Sequence, residues 1–147
     1  MHRIVLEREH VMTRSEARET AFILIFEASF HNDLNIPEFY TNELENMALE
    51  SDAYIESTFN GVYKNISELD GLISGSAKGW TVDRMSKVTL AILRLCIYEM
   101  LYVEDVPTLS AIDEAIELAK KYDHDNAPAF INGIVNAVAD AKGIKDK

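Results

Sequence analysis

An all-helical domain is what the sequence predicts. Long segments place apolar residues at three- and four-residue spacing. Several of those segments are preceded by a side chain or a proline that starts helices. No segment alternates apolar and polar residues as a half-buried strand would; the short "RIVLE" at 3–7 has nothing to pair with. Only 3 prolines and 6 glycines occur in 147 residues, and 48% of residues are apolar, enough for a real core rather than a disordered chain.

The first helix is predicted over 14–31. Thr13 and Glu16 fit the capping-box pattern, in which each side chain satisfies an amide of the other. Ala17, Ala21, Leu24 and Ala28 form one apolar stripe, and Phe22, Phe26 and Phe30 a second. "HNDLNIP" is a loop, and Pro37 suits the first turn of a second helix over 38–50. Ser51 or Asp52 can cap a third, over 53–74. "SGSAKGW" breaks the pattern, and a fourth helix runs from Thr81 or Asp83 to 103. Pro107 turns the chain into a fifth, 109–122, with Ile112, Ala115, Ala119 and Tyr122 inward. Its late Lys120 and Lys121 suit the negative end of the helix dipole. Asp125 or Asn126 caps a sixth over 127–141, with Pro128 in its first turn and Gly143 at its end. Residues 1–11 carry no clear stripe. They are read either as a disordered or partly helical leader or as the product of an upstream start codon, with the working protein beginning at Met12; a single domain follows at 12–147.

The formal net charge is −11 and the pI about 4.7, which counts against unaided binding to phosphate. The acidity is local: residues 33–70 hold nine Asp/Glu and one Lys, while the flanking stretches are near balance. Either flank can still present a positive face. Cys96 is the only cysteine, which excludes a disulfide within the chain and fits a reducing cytoplasm. Its setting, "LRLCIYE", marks it as a small core residue. The longest apolar run, 88–103, contains Arg94 and Glu99 and falls short of the ~20 largely uncharged residues of a membrane span. No secretory h-region is evident near the N-terminus.

No catalytic or cofactor motif stands out. His2, His10, His31 and His124 are scattered, with no metal-ligand spacing. "GSAKGW" lacks the Gly-Lys-Ser/Thr end of a phosphate-binding loop and follows a helix rather than a strand. No catalytic residue, metal ligand or cofactor is therefore assigned. Arg94, inside an apolar helix, needs an ion pair; Tyr98, Glu99, Glu114 and Glu117 are the partners within reach, and contact with a ligand is the alternative. Gly133 lies inside the last helix, where glycine costs ~1 kcal/mol against alanine. Something must approach closely there. It is either a neighbouring helix or a ligand, and Phe130 beside Asn132 could stack on and hydrogen-bond an unstacked base.

"ARETAFILIFEASF", "WTVDRMSKVTLAILRLCIYEMLY", "DVPTLSAIDEAIELAKKY" and "FINGIVNAV" resemble, in order, the landmarks of the NusB family of transcription antitermination factors, over about residues 13–141. The resemblance implies two three-helix bundles packed roughly perpendicular, and a non-enzymatic role. It implies binding of boxA RNA together with NusE, a small-subunit ribosomal protein. NusA, NusG and RNA polymerase then complete the assembly. Some members dimerise and hide the RNA face, so a homodimer is open. No membrane partner is implied.

By that resemblance the RNA-binding residues are Arg14 and Arg18 in the N-terminal arm and Phe130, Asn132 and Gly133 near the last helix. Ser15, Glu16, Ala129 and Asp113 stand where the family is often basic or neutral, as does "TLS" after Pro107. These departures lower the positive charge of the expected RNA face. RNA recognition is therefore expected to lean on NusE, and arginine at Ser15 or Ala129 to tighten it. The alternative is an adaptor on the same fold with little RNA binding of its own. A third reading, the NusB-like domain joined to RNA cytosine methyltransferases, needs a catalytic domain that residues 1–147 do not include.

Overall fold

The computed structural model describes residues 11–147; the leader expected at 1–11 lies outside them except for Val11, which is exposed. The described residues form α-helices joined by turns, with no strand. They are α1 (Arg14–Ala28), α2 (Ile36–Asn46), α3 (Ala53–Lys64), α4 (Ile66–Ser76), α5 (Lys87–Tyr102), α6 (Thr108–Tyr122) and α7 (Ala127–Lys142). A single 3-10 turn, Val82–Arg84, precedes α5.

The capping box forms as read. The Glu16 amide donates to Thr13 Oγ1 at 3.1 Å and the Thr13 amide to Glu16 Oε1 at 2.8 Å. α1 ends at Ala28, short of the expected 31, and leaves Phe30 exposed. α2 begins earlier than expected because the Asn35 side chain caps Glu38 at 3.0 Å. It ends earlier because Ala48 takes φ 55°. The Leu49 amide then folds back onto the Leu44 carbonyl at 2.9 Å, a left-handed stop that apolar spacing does not reveal.

The expected helix 53–74 is two helices. Asn65 donates both its amide N–H (3.0 Å) and its side-chain Nδ2 (2.8 Å) to the Gly61 carbonyl, and the chain resumes as α4. A side chain competing for a main-chain acceptor is the break. Gly61 itself is required by packing: a Cβ there would run into the Tyr98 ring of α5. α5 starts later than expected. Met85 and Ser86 are extended, and Ser86 Oγ caps the Thr89 amide at 3.1 Å.

α1, α2 and α3 pack on one another; so do α5, α6 and α7, with α4 against α5 and α7; and α5 is shared, because α1 and α3 also lie against it. This follows from α5's sequence. Leu90, Ala91, Ile92, Leu93, Leu95, Cys96, Ile97 and Met100 are all buried, so the helix is apolar on most of its circumference. Cys96 is a core residue as read, and burial pushes its thiol well above the usual range. Arg94 does form an ion pair, but with a partner that spacing did not suggest. It lies bidentate on Asp70 of α4, with both bonds at 2.8 Å. Tyr122 is 38% exposed rather than inward, its ring tilted against Phe22 at 5.1 Å. Ala111 and Leu118 join the buried face of α6.

Past α7, Gly143 supplies the left-handed cap (φ 66°), and the chain returns to α5. Lys147 Nζ donates to the carbonyls of Glu99, Met100 and Val103 at 2.8–2.9 Å. A cation on the last carbonyls of a helix complements its dipole.

Candidate nucleic-acid interface

Arg14 and Arg18 stand one turn apart on α1, as predicted, but in different environments. Arg14 is 46% exposed at its side chain. Its guanidinium lies 4.6 Å from the Tyr54 ring centroid and 3.7 Å from Asp105. Arg18 is 5% exposed. Its Nε and Nη2 donate to the two oxygens of Glu99 at 2.7 and 2.9 Å, and Nη1 donates to Glu114 Oε1 at 2.9 Å. Glu99 is fully buried in α5. These carboxylates hold the guanidinium charged and raise its pKa despite burial. Ser15 Oγ also donates to Glu114 Oε1, at 2.9 Å. The beginning of α1 is thus pinned to α5 and α6 by carboxylates.

Phe130, Asn132 and Gly133 lie together in the first half of α7. Phe130 is half-buried; Asn132 and Gly133 are exposed. The Asn132 side-chain oxygen accepts from Asn136 Nδ2 at 3.0 Å, which leaves the Asn132 amide nitrogen to donate to solvent or a ligand. A Cβ on Gly133 would meet nothing within 4 Å. Of the two reasons weighed for a glycine there, a neighbouring helix is excluded among the described residues. α6 connects the two halves of the candidate face. It holds Arg18 through Glu114 at one end, and at the other it packs Tyr122 on Phe22 and Lys121 on Glu19 before leading into α7.

Sequence reasoning missed a pocket of about 380 Å³ beside Phe130, lined by Trp80, Arg84, Met85, Ser86, Thr89, His124, Asn126 and Phe130. Trp80 meets Phe130 edge to face at 5.8 Å, and the Arg84 guanidinium lies 5.4 Å from the Trp80 ring centroid. Thr89 Oγ1 donates to Asp123 at 2.6 Å, fixing the far wall. Asn126 holds the cap position of α7 but makes no capping bond, so its side chain is left to the pocket. One signal was available: Trp80, the single tryptophan, lies in a glycine-rich loop between Lys78 and Arg84. A second opening of about 440 Å³, between α1 and α6, is lined by mixed charges that include Glu19, Glu114, Glu117 and Lys121.

Among the described residues no His, Cys, Asp or Glu cluster could hold a metal ion, and no helix is long and apolar enough to cross a membrane. The fold and its exposed aromatic, amide and basic side chains define an all-helical recognition domain. The family model described as the NusB family matches residues 15–140. The chain is 41% identical over 127 residues to the transcription antitermination protein NusB of Agathobacter rectalis, covering 84% of this chain and 97% of that protein. It is 45% identical over 133 residues to the NusB of Acetivibrio thermocellus, covering 89% and 91%. Among solved structures, T. maritima NusB superposes with TM-score 0.78 at 31% identity, covering 89% of this chain and 93% of that one. A chain from a structure of antitermination factors NusB and NusE in complex with dsRNA shares the fold, with TM-score 0.76 at 24% identity, covering 88% and 99%. The chain belongs to the NusB family of transcription antitermination proteins.

Proposed function

We propose that this chain is a cytoplasmic, non-enzymatic antitermination factor. It binds boxA RNA together with NusE and joins the Nus complex, with NusA and NusG, on RNA polymerase. Gly133 carries the reading: a helix-weakening residue lies on an open surface, beside an aromatic ring and a free amide donor, with no packing reason among the described residues. Close approach of an RNA backbone supplies that reason. The chain of like fold from a structure of antitermination factors NusB and NusE with dsRNA supports the choice of partners.

The face is built from Arg14, Phe130, Asn132 and Gly133. Arg18, expected there from the resemblance, serves as an anchor, because its guanidinium is spent on Glu99 and Glu114. The primary test is boxA affinity at physiological salt, with and without NusE, against a scrambled RNA.

Gly133→Ala separates ligand approach from mere tolerance. It should gain up to about 1 kcal/mol of stability by helix propensity. It should also weaken boxA binding at least several-fold. A stabilised protein with unchanged RNA affinity would remove Gly133 from the face. Ala129→Arg adds a cation on an exposed position next to Phe130 and should tighten binding several-fold, with a steeper salt dependence. Ser15→Arg should give less, because Glu114 waits beside it to neutralise the new charge. Equal affinity of the Ala129 variant and the parent would count against this side of α7.

One observation favours the adaptor alternative. Both arginines of the arm face carboxylates, Arg14 on Asp105 and Arg18 on Glu99 and Glu114. On that reading NusE binds normally and no selective RNA binding appears even in its presence.

A further inference from the structure

The basic residues of this acidic chain divide into two sets. Arg14, Arg18, Arg94, Lys120, Lys121 and Lys145 each lie within salt-bridge distance of a carboxylate. Lys147 is spent on main-chain carbonyls. Among the described residues the cations within salt-bridge distance of no carboxylate include Lys78, Arg84 and Lys87, all within one ten-residue stretch, of which Arg84 lines the pocket. The others, Lys64 and Lys142, stand apart in sequence.

Two of the three lie against exposed rings. Arg84 covers Trp80, which is 46% exposed. Lys87 Nζ lies 5.3 Å from the centroid of Phe30, which is 58% exposed, and donates to the Ser29 carbonyl at 3.0 Å; unlike Lys147, whose ammonium serves three carbonyls, it keeps donors for a ligand. Ser86, the N-cap of α5, and Thr89 in its first turn line the pocket and bracket Lys87, so Lys87 links the pocket to Phe30. The acids nearby do not cancel this charge evenly. The Asp123 side chain is buried and accepts from Thr89 and from the His124 amide. Asp83 and Asp125 are exposed; Thr81 and the neighbouring Arg84 hold the Asp83 carboxyl below its usual range, so Arg84 is partly offset and Lys87 is not.

Exposed rings paired with uncommitted cations are what a single nucleic-acid strand uses, the ring for a base and the cation for its phosphate. We propose that the Trp80–Phe130 pocket receives one unstacked base of a single RNA strand, whose backbone then runs past Arg84 and Lys87 to a second stacking contact on Phe30. His124 and Asn126 at the rim offer hydrogen bonds to the edge of the inserted base. The track compensates for an N-terminal arm that carboxylates have largely neutralised. It rests on the RNA-binding reading above and assigns that RNA a second set of contacts.

Trp80 is the only tryptophan, so its emission reports on the pocket directly. The experiment titrates dye-labelled boxA RNA into the full chain with NusE, reading anisotropy and tryptophan emission together, with NusE alone subtracted. The expected result is quenching with the same midpoint as the anisotropy. Arg84→Gln and Lys87→Gln should each weaken binding roughly three- to ten-fold and lower the salt slope by about 0.7, the value for one phosphate contact on a single strand. Phe30→Leu should weaken binding on the order of ten-fold without changing that slope. Lys64→Gln should match the parent. If RNA binds by anisotropy while either the emission or the salt slopes of the two cation variants stay unchanged, the track is wrong and the RNA reading survives. If no RNA binds with or without NusE, both fall.

Discussion

Replacing Arg18 with methionine is expected to destabilise the fold by about 3–5 kcal/mol, the usual cost of removing one partner from a buried ion pair. Glu99 would be left fully buried, facing a thioether where two guanidinium bonds had been. Glu99→Gln should cost less, because Arg18 retains its bond to the partly exposed Glu114. The double variant Arg18→Met/Glu99→Leu should recover most of the loss, since an apolar pair of similar volume avoids the desolvation of both charges. Urea midpoints at constant slope measure this. Single variants within 1 kcal/mol of the parent would show that the pair is not a structural anchor. The folded double variant also answers a functional question. Its boxA affinity should stay within about two-fold of the parent, whereas loss of a charge-assisted phosphate contact would cost about ten-fold or more. A large loss in a stable double variant would return Arg18 to the RNA face where the family resemblance puts it.

Binding of boxA by the chain alone should be weak and non-selective, and NusE should raise it by about two to four orders of magnitude. The physical basis is the charge inventory. Arg14 shares its guanidinium with Asp105 and Tyr54, and Arg18 is buried. A basic partner holding the same strand turns the second contact into an intramolecular one, so two weak surfaces act at a raised effective concentration. Against the family pattern, in which the positions of Ser15, Glu16 and Ala129 are often basic, about three fewer phosphate contacts lower the slope of log affinity against log salt by about two units on a single strand. The chain alone should therefore show a shallow salt dependence and the complex a steep one. Tight, selective binding by the chain alone would contradict this account. Absence of selective binding in the complex would establish the adaptor reading instead.

Much of the architecture was legible before any coordinates. The Thr13–Glu16 box, Pro37 and Pro128 in first turns and Gly143 past the last helix are local signals, decided by residues within one turn of each other. The misplaced helix starts and stops depend on a side chain reaching the main chain, or on a left-handed backbone turn, neither of which apolar spacing encodes. Asn65 breaks 53–74 in two, Ser86 restarts α5, and Ala48 ends α2 in a left-handed turn.

The candidate site divides along the same line. Its residue types were legible: an aromatic beside an amide beside a glycine on one helix, and two arginines on another. Which of those side chains is free was not legible. Charge and spacing alone do not say that Arg18 meets Glu99, 81 positions away, or that Arg94 meets Asp70. Nor do they say that Trp80 and Arg84 come to lie beside Phe130. A capping box closes over one turn of backbone and is carried by the sequence itself. An ion pair between helices exists only once the core has packed, so tertiary structure alone decides which cations remain to meet RNA.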